Sequence, residues 1–185
     1  MMTRRLLLQC LGTALALAGL GRRAFALDFP DWYTLGNAAA QNKTEDVEGM
    51  LRRGDNPNFT DSAGRTPLGY AAALGNAAML KALLESGARI DYRDNFGRMA
   101  LHWAAEAGQS EAIRLLLAAK APVDATARQG ITPLMLAAGG NKGEALKALL
   151  AAGADPQKQD FTGRDAIGWA AGKPAALRVL QGARG

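Results

Sequence analysis

The sequence contains very few of the residues from which catalytic and metal sites are usually built. Its 185 residues include one cysteine, Cys10, and one histidine, His102. A lone cysteine cannot form a disulfide within the chain, and a lone histidine excludes a site that needs paired histidine ligands. His102 could serve as a catalytic base only with a nucleophile and an orienting group beside it. The composition therefore offers no cofactor or metal site, and we expect none.

Long apolar stretches are also missing, except for one near the start of the chain. Residues 6–20 are mostly apolar, follow a pair of arginines and precede small residues that end at Ala26. This stretch is shorter than the roughly 20 residues that a membrane-spanning helix needs. A basic start, a short apolar stretch and small residues before a cleavage point are typical of an export signal. We expect cleavage after Ala26, loss of Cys10 with the signal, and a periplasmic protein without a membrane span.

The arginine pair before the apolar stretch bears on the route of export. Arg4-Arg5 followed by leucines resembles a twin-arginine signal, which carries folded proteins across bacterial inner membranes. A second pair, Arg22-Arg23, fits that route because basic residues near the cleavage point discourage export of the unfolded chain. An ordinary secretory signal is the alternative, and retention of residues 1–26 as an anchor also stays open.

Residues 27–185 have almost no excess of positive charge. The whole chain has 22 basic and 17 acidic residues. Four of the basic residues and none of the acidic ones lie in the expected signal, which leaves 18 against 17. A nearly neutral chain gives no global electrostatic reason to bind nucleic acid. We expect no nucleic-acid partner.

What the sequence does contain is an internal repeat. The phrase GRTPLGYAA begins at Gly64, and related phrases begin at Gly97, Gly130 and Gly163, each 33 residues after the last. Such a fixed period predicts stacked helical units, each too small to bury its apolar face alone, so that the core is a row of interfaces. The units are assigned to residues 28–60, 61–93, 94–126, 127–159 and 160–185, of which the first and last are divergent caps.

The start of each unit's first helix explains a proline within an apolar phrase. Thr66 can cap the helix with its hydroxyl, and Pro67 then takes the first helical position, where its missing N–H is not needed. Asp165 is also a good cap, whereas Met99 is not, and we expect the third unit's helix to start less sharply. The first helices are predicted to stop at residues that tolerate the left-handed conformation, namely Asn42, Gly75, Gly108 and Asn141.

The second helix of each unit carries its apolar residues on one face. Leu80, Leu83 and Leu84 have the spacing i, i+3, i+4, and the other units repeat it. In the last unit Gln181 stands where the others have an apolar residue. This replacement suits a terminal face with no further neighbour.

These residues resemble the ankyrin repeat, with Gly-x-Thr-Pro-Leu-x-x-Ala-Ala, a second helix ending in Leu-Leu, then Gly-Ala and an Asp-containing turn. The resemblance covers essentially all of residues 27–185. It implies an all-α repeat solenoid of helix pairs with β-turn fingers. It also implies that His102 bonds locally to hold the turn between units and that Asp61, Asp94 and Asp160 form turns.

The ankyrin resemblance implies protein recognition through the concave side, made by finger tips and first helices. An exposed aromatic side chain at a finger tip has no folding role, so Phe96 and Phe161 are the foremost candidate contacts. The alternative for the arginines is pairing with finger acids, as Arg65 could pair with Asp61. Tyr70, Trp103 and Trp169 share one position of the repeat and are expected to pack. The predicted protein-binding residues are Trp32, Arg65, Arg93, Phe96, Arg98, Arg128, Phe161 and Arg164.

The leading functional prediction is a periplasmic, non-enzymatic module that binds an unidentified partner protein as an accessory or protective factor. We expect it to be monomeric when unbound. An immunity-like inhibitor of a toxin or enzyme is the first alternative. A hydrolase that uses His102 or the aspartates is the remote one.

Overall fold

Residues 34–183 are the part of the chain that the computed structural model describes, and they contain ten α-helices and no β-strand. The expected export segment and Trp32 lie outside these residues. Within them, no helix is long and apolar enough to cross a membrane. The helices are α1 (Leu35–Ala40), α2 (Thr44–Arg52), α3 (Pro67–Leu74), α4 (Ala77–Glu85), α5 (Ala100–Ala107), α6 (Ser110–Ala118), α7 (Pro133–Gly139), α8 (Gly143–Ala151), α9 (Ala166–Trp169) and α10 (Pro174–Gly182).

The helices pair into units, and the units stack in register. The first helices, α1, α3, α5, α7 and α9, each pack against the next first helix, and the second helices, α2, α4, α6, α8 and α10, do the same. Each first helix also packs against the second helix of its own unit. The core is therefore a row of interfaces between neighbours, and the predicted all-α repeat solenoid is confirmed.

The helix starts follow the capping residues of the sequence. The Thr66 hydroxyl accepts a hydrogen bond from the Gly69 N–H at 3.2 Å, and the Asp165 carboxylate accepts one from Gly168 at 2.8 Å. Met99 gives no side-chain cap, yet α5 begins at Ala100, one period after Pro67 begins α3. The expected looser start of the third unit is not seen, because the His102 ring occupies the turn, its Nδ1 accepting the Met99 N–H at 3.1 Å.

The ends of the first helices use the left-handed conformation, as predicted. Gly75 and Gly108 have φ of 70° and 82°, and both are the residues that end α3 and α5. Asn42 and Asn141 reach φ of 59° and 56° without a glycine's freedom. Asparagine tolerates this region better than most residues because its short polar side chain bonds locally.

The second-helix stripe supplies most of the large buried side chains. Leu80 and Leu83 are fully buried, while Leu84 is only half-buried. On the first helices, Ala71 and Ala72 are fully buried, because small side chains let neighbouring helices approach closely. Gln181 is exposed at the end of the row, next to the buried Leu180, which confirms its predicted place on a terminal face.

Each of units 2 to 5 begins with a tight turn, here called a finger, which leads into the first helix of that unit. The fingers are numbered by unit: finger 2 (residues 61–65), finger 3 (94–98), finger 4 (127–131) and finger 5 (160–164). In finger 2 the Gly64 N–H donates to the Asp61 carbonyl at 3.0 Å, and the Asp61 N–H donates to the Arg65 carbonyl at 3.2 Å. The other three fingers repeat both bonds, so the predicted β-turn fingers are present.

Neighbouring fingers are joined by a main-chain hydrogen bond at each step. The Asn95 N–H donates to the Ala63 carbonyl at 3.0 Å, linking finger 3 to finger 2. The equivalent bonds run from Arg128 to Phe96 at 3.0 Å and from Phe161 to Gln129 at 2.8 Å. These bonds hold the finger tips in a continuous row and so fix the spacing of the side chains that they carry.

Candidate protein-binding surface

An aspartate at the base of each finger, except finger 4, organises that finger. One oxygen of Asp94 accepts the N–H groups of Phe96 at 2.9 Å and Arg98 at 2.8 Å. The other oxygen accepts the indole N–H of Trp103 at 3.1 Å. The aspartate therefore joins its finger to the first helix of the same unit, with both of its oxygens occupied.

The second and fifth units repeat this arrangement. Asp61 accepts the Arg65 N–H at 2.9 Å and the Tyr70 hydroxyl at 2.5 Å. Asp160 accepts the Arg164 N–H at 3.0 Å and the Trp169 indole N–H at 2.9 Å. The predicted turn-forming role of the aspartates is confirmed.

The prediction of turn-forming aspartates did not include the aromatic side chains that donate hydrogen bonds to them. The aromatic residues were predicted to pack, and they do, but each also donates to the aspartate nine positions earlier. An aspartate followed after nine positions by Tyr or Trp occurs three times at the repeat period. This recurrence in the sequence could have indicated the hydrogen bond between the aspartate and the aromatic side chain.

The pKa shifts of the finger groups follow from these bonds. Burial tends to raise the pKa of Asp61, but the Tyr70 hydroxyl and the finger N–H donors outweigh it and lower the pKa below its ordinary value. The pKa of Tyr70 is raised, by burial and by its bond to Asp61. The Thr162 hydroxyl, 2.6 Å away, is the largest cause that holds the pKa of Asp160 well below its usual range. These carboxylates stay ionised at neutral pH and fully bonded, which does not suit a general acid.

His102 is fully buried and joins two units. Its Nδ1 accepts the Met99 N–H, so the ring proton is on Nε2, which lies 3.3 Å from the carbonyl oxygen of Ile131. Burial is the main cause that lowers its pKa to about 4. The ring is neutral, has both nitrogens occupied, and holds finger 4 against the third unit as the resemblance implied.

Three of the four finger arginines are held by contacts within the chain. The Arg65 guanidinium lies 3.4 Å from the ring centre of Trp103, a cation–π contact with the next unit. Arg98 pairs with Glu106 at 2.8 Å. Arg164 pairs with Asp160 at 3.2 Å. The alternative for the arginines was pairing with an acid of the fingers. This pairing is seen for Arg164, whereas the Arg65 guanidinium lies over an aromatic ring.

Arg93 and Arg128 differ from each other in their contacts. Arg93 lies just before finger 3, and its guanidinium donates to the carbonyl oxygens of Gly97 at 3.0 Å and Thr126 at 2.6 Å. It thus ties finger 3 to the chain just before finger 4. The Arg128 guanidinium, within the part of the chain that the structure describes, has no hydrogen bond, ion pair or ring contact, and the residue is exposed.

The two finger phenylalanines are exposed, as predicted from their positions. Phe161 is 84% exposed and Phe96 is 53% exposed. Each is bonded through its main chain to finger 4, so the structure brings them to either side of Arg128 and Gln129. Two other exposed apolar residues, Phe59 and Leu74, were not among the predicted contacts, because neither lies on a finger.

Comparisons with known families agree with this architecture. The model described as ankyrin repeats, three copies, matches residues 35–129, and the model of a single ankyrin repeat matches residues 129–161. A search of curated proteins found no significant match to the chain. Since the two family matches cover more than half of the sequence, the chain belongs to the ankyrin-repeat family.

Proposed function

We propose that this chain is a non-enzymatic protein-binding module that acts in the periplasm and holds its partner with the finger surface. The finger surface consists of fingers 2 to 5 and the half-buried first-helix residues Tyr70, Trp103 and Trp169. Ankyrin repeats indicate a protein–protein interaction module. The observation that carries the proposal is the exposure of two large aromatic side chains, Phe96 and Phe161, on neighbouring fingers that hydrogen bonds hold in a row.

Exposed aromatic side chains on a rigid surface favour binding. Burial of an aromatic ring in an interface removes a large apolar area from water, and aromatic and arginine residues dominate interface energies. The hydrogen bonds between fingers fix the positions of Phe96 and Phe161 before a partner arrives. Little conformational freedom is then lost on binding, which leaves more of the contact energy for affinity.

The polar groups that a hydrolase would need are already used within the fold. His102 is buried with both ring nitrogens bonded, and Asp61, Asp94 and Asp160 hold their fingers. No group of three His, Cys, Asp or Glu side chains within residues 34–183 could hold a metal ion. These observations support binding rather than catalysis.

The periplasmic location rests on residues 1–26 alone, whose basic start, apolar stretch and final small residues, which end at Ala26, are typical of an export signal. A folded, exported binding module without a reaction of its own suits an accessory or protective role toward another periplasmic protein. The partner itself is to be found by capture.

The experiment is affinity capture from a periplasmic extract with the C-terminally tagged chain. Three baits are compared: the wild type, Phe96→Ala with Phe161→Ala, and the matched control Phe59→Ala with Leu74→Ala. Both double variants remove two exposed apolar side chains, but only the first removes them from the fingers. We expect the wild type and the control to recover the same protein and the finger variant to lose it. Equal recovery by all three baits would show that the finger surface is not the binding site.

A further inference from the structure

Unit 4 departs from its neighbours at three equivalent positions at once. The finger aspartate of units 2, 3 and 5 is replaced by Ala127, the arginine after the finger glycine by Ile131, and the first-helix aromatic residue by Leu136. In the other units these three positions touch one another through hydrogen bonds and cation–π contacts. The whole polar group is therefore exchanged for an apolar one in a single unit.

The exchange changes the backbone of finger 4 as well. Without an aspartate, the N–H groups of Gln129 and Ile131 lose the carboxylate acceptor that the equivalent groups have in fingers 2, 3 and 5. Gln129 takes φ of 63°, a left-handed conformation that no equivalent residue of the other fingers adopts. Such a conformation costs a non-glycine residue about 1 kcal/mol or more. Stability alone does not favour this finger.

Finger 4 lies at the middle of the exposed residues of the finger surface. Phe96 lies on one side and Phe161 on the other, each joined to finger 4 by a main-chain hydrogen bond. Ile131 is half-buried, so part of its side chain is accessible. An apolar position is thus placed between the two exposed phenylalanines and in the same finger as the exposed Arg128.

The carboxylates and the guanidinium groups of the fingers differ in their exposure. The finger carboxylates are turned inward: the Asp160 side chain is 2% exposed, and Asp61 and Asp94 accept bonds from their own fingers and first helices. The finger arginines remain accessible, with the Arg164 side chain 55% exposed. A partner that approaches the fingers therefore meets guanidinium groups and apolar side chains, and the exposed carboxylate beside them, Glu106, is already paired with Arg98.

We propose that fingers 3 to 5 bind an acidic extended segment of the partner protein that places one apolar side chain against Ile131 and carboxylates beside Arg128 and Arg164. This inference rests on the proposed function and adds the chemistry of the partner. Charge complementarity selects the acidic segment, since carboxylates accept bidentate hydrogen bonds from guanidinium groups. The apolar residues of unit 4 favour an apolar side chain of the bound segment at this place. A charged side chain there would lose its hydration without gaining an opposite charge or a hydrogen bond.

A nucleic acid fits this surface less well than an acidic polypeptide. Binding to a phosphate backbone uses many free cations, and the arginines here are mostly held by Glu106, Asp160 or aromatic rings. The apolar position in finger 4 would also gain nothing from a phosphate.

The test begins with a random twelve-residue peptide library displayed on phage and selected on the full chain. We expect the enriched peptides to carry a net negative charge and one central aliphatic or aromatic residue. A fluorescein-labelled copy of the most enriched peptide is then titrated by fluorescence anisotropy. Its affinity should fall as NaCl is raised, because charged contacts at an exposed surface are screened by salt.

Three variants locate the site of this peptide. Arg128→Glu should weaken binding by about tenfold or more, since it places a like charge beside the peptide carboxylates. Ile131→Ala shortens the apolar side chain without adding a charge, and it should weaken binding about fivefold by removing the apolar contact. The control Arg178→Glu, which reverses a charge on the exposed side of α10, should leave the affinity unchanged.

Several outcomes overturn the proposal. It fails if the enriched peptides are neutral or basic, if no peptide is enriched, or if single-stranded DNA binds as tightly as the selected peptide. A neutral or basic peptide that loses affinity with Phe96→Ala and Phe161→Ala would overturn the acidic chemistry and leave the finger surface as the binding site. A peptide whose affinity is unaffected by every finger variant would overturn both.

Discussion

The imidazole of His102 and the carbonyl oxygen of Ile131 join the third unit to the fourth, with Nε2 and the oxygen 3.3 Å apart. The same ring accepts the Met99 N–H at 3.1 Å through Nδ1. Only the neutral ring can make both bonds, because a protonated imidazole has no acceptor nitrogen. The interface between these units therefore depends on a group that titrates.

We expect the free energy of unfolding to fall as the pH is lowered from 7 to 5. In the unfolded chain the imidazole binds a proton near pH 6.5, whereas burial in the folded chain lowers its pKa to about 4. The unfolded chain thus binds more protons in this window, and stability is lost as the pH falls. The expected loss is about 2 kcal/mol between pH 7 and pH 5, measured by urea denaturation at both values.

His102→Gln is the control for this pH dependence. Since His102 is the only histidine, the variant should be less stable at pH 7 but should show a much flatter dependence between pH 7 and pH 5. If wild type and variant lose stability equally over that range, the buried imidazole is not the titrating group.

The Asp94–Trp103 bond should contribute measurably to stability. Trp103→Phe removes the indole donor and leaves a carboxylate oxygen of Asp94, itself only 9% exposed, without that partner. We expect a loss of about 1–3 kcal/mol in urea denaturation, since a buried acceptor left unpaired costs more than a hydrogen bond gains.

A double-mutant cycle separates this bond from loss of ring packing. Asp94→Ala introduces the residue that finger 4 carries naturally at this position, Ala127. Once the carboxylate is absent, Trp103→Phe should cost less, with a coupling energy of about 1 kcal/mol. A coupling energy near zero would mean that the indole acts only through packing.

Export should depend on Arg4 and Arg5 if the route is the twin-arginine one. Changing both to lysine keeps the charge of the segment but removes the arginine pair. We expect the periplasmic fraction of the protein, measured by cell fractionation and immunoblotting, to drop sharply. The matched change of Arg22 and Arg23 to lysine keeps the leading pair and should preserve export. Undiminished delivery of the first variant would instead favour an ordinary secretory signal.

The fold could be predicted from the sequence because its determinants are side chains that recur. The Thr-Pro helix start, the Gly or Asn at the helix end and the second-helix stripe such as Leu80 and Leu83 each specify a local conformation, and the 33-residue period specifies how the units stack. The exposure of Phe96 and Phe161 could also be predicted, because the finger positions of the repeat lie outside the core.

The bonds between fingers could not be predicted, because they use main-chain atoms that every residue has. The Arg128 N–H donates to the Phe96 carbonyl whatever their side chains are. The partners of long side chains could not be predicted either: the Arg65 guanidinium lies over Trp103 of the next unit and does not pair with the Asp61 carboxylate. The exchange of three residues in unit 4 was visible in the sequence, by aligning Ala127 with the finger aspartates, but its consequence needed the bonds that those aspartates make.

Gly64 and Gly163 provide a test of the close approach between fingers. Both have a left-handed backbone, with φ of 75° and 79°. A Cβ added at Gly64 would lie 3.0 Å from the Asn95 nitrogen of the next finger and 2.8 Å from the Asn95 side-chain oxygen, whereas one added at Gly163 would meet nothing within 4 Å. Gly163→Ala should therefore lose only the backbone cost of about 1 kcal/mol, and Gly64→Ala should lose that amount and more. Urea denaturation of the two variants gives the difference, which belongs to contact between fingers 2 and 3. Equal losses would mean that Asn95 moves aside freely and that the fingers are not held as a rigid row.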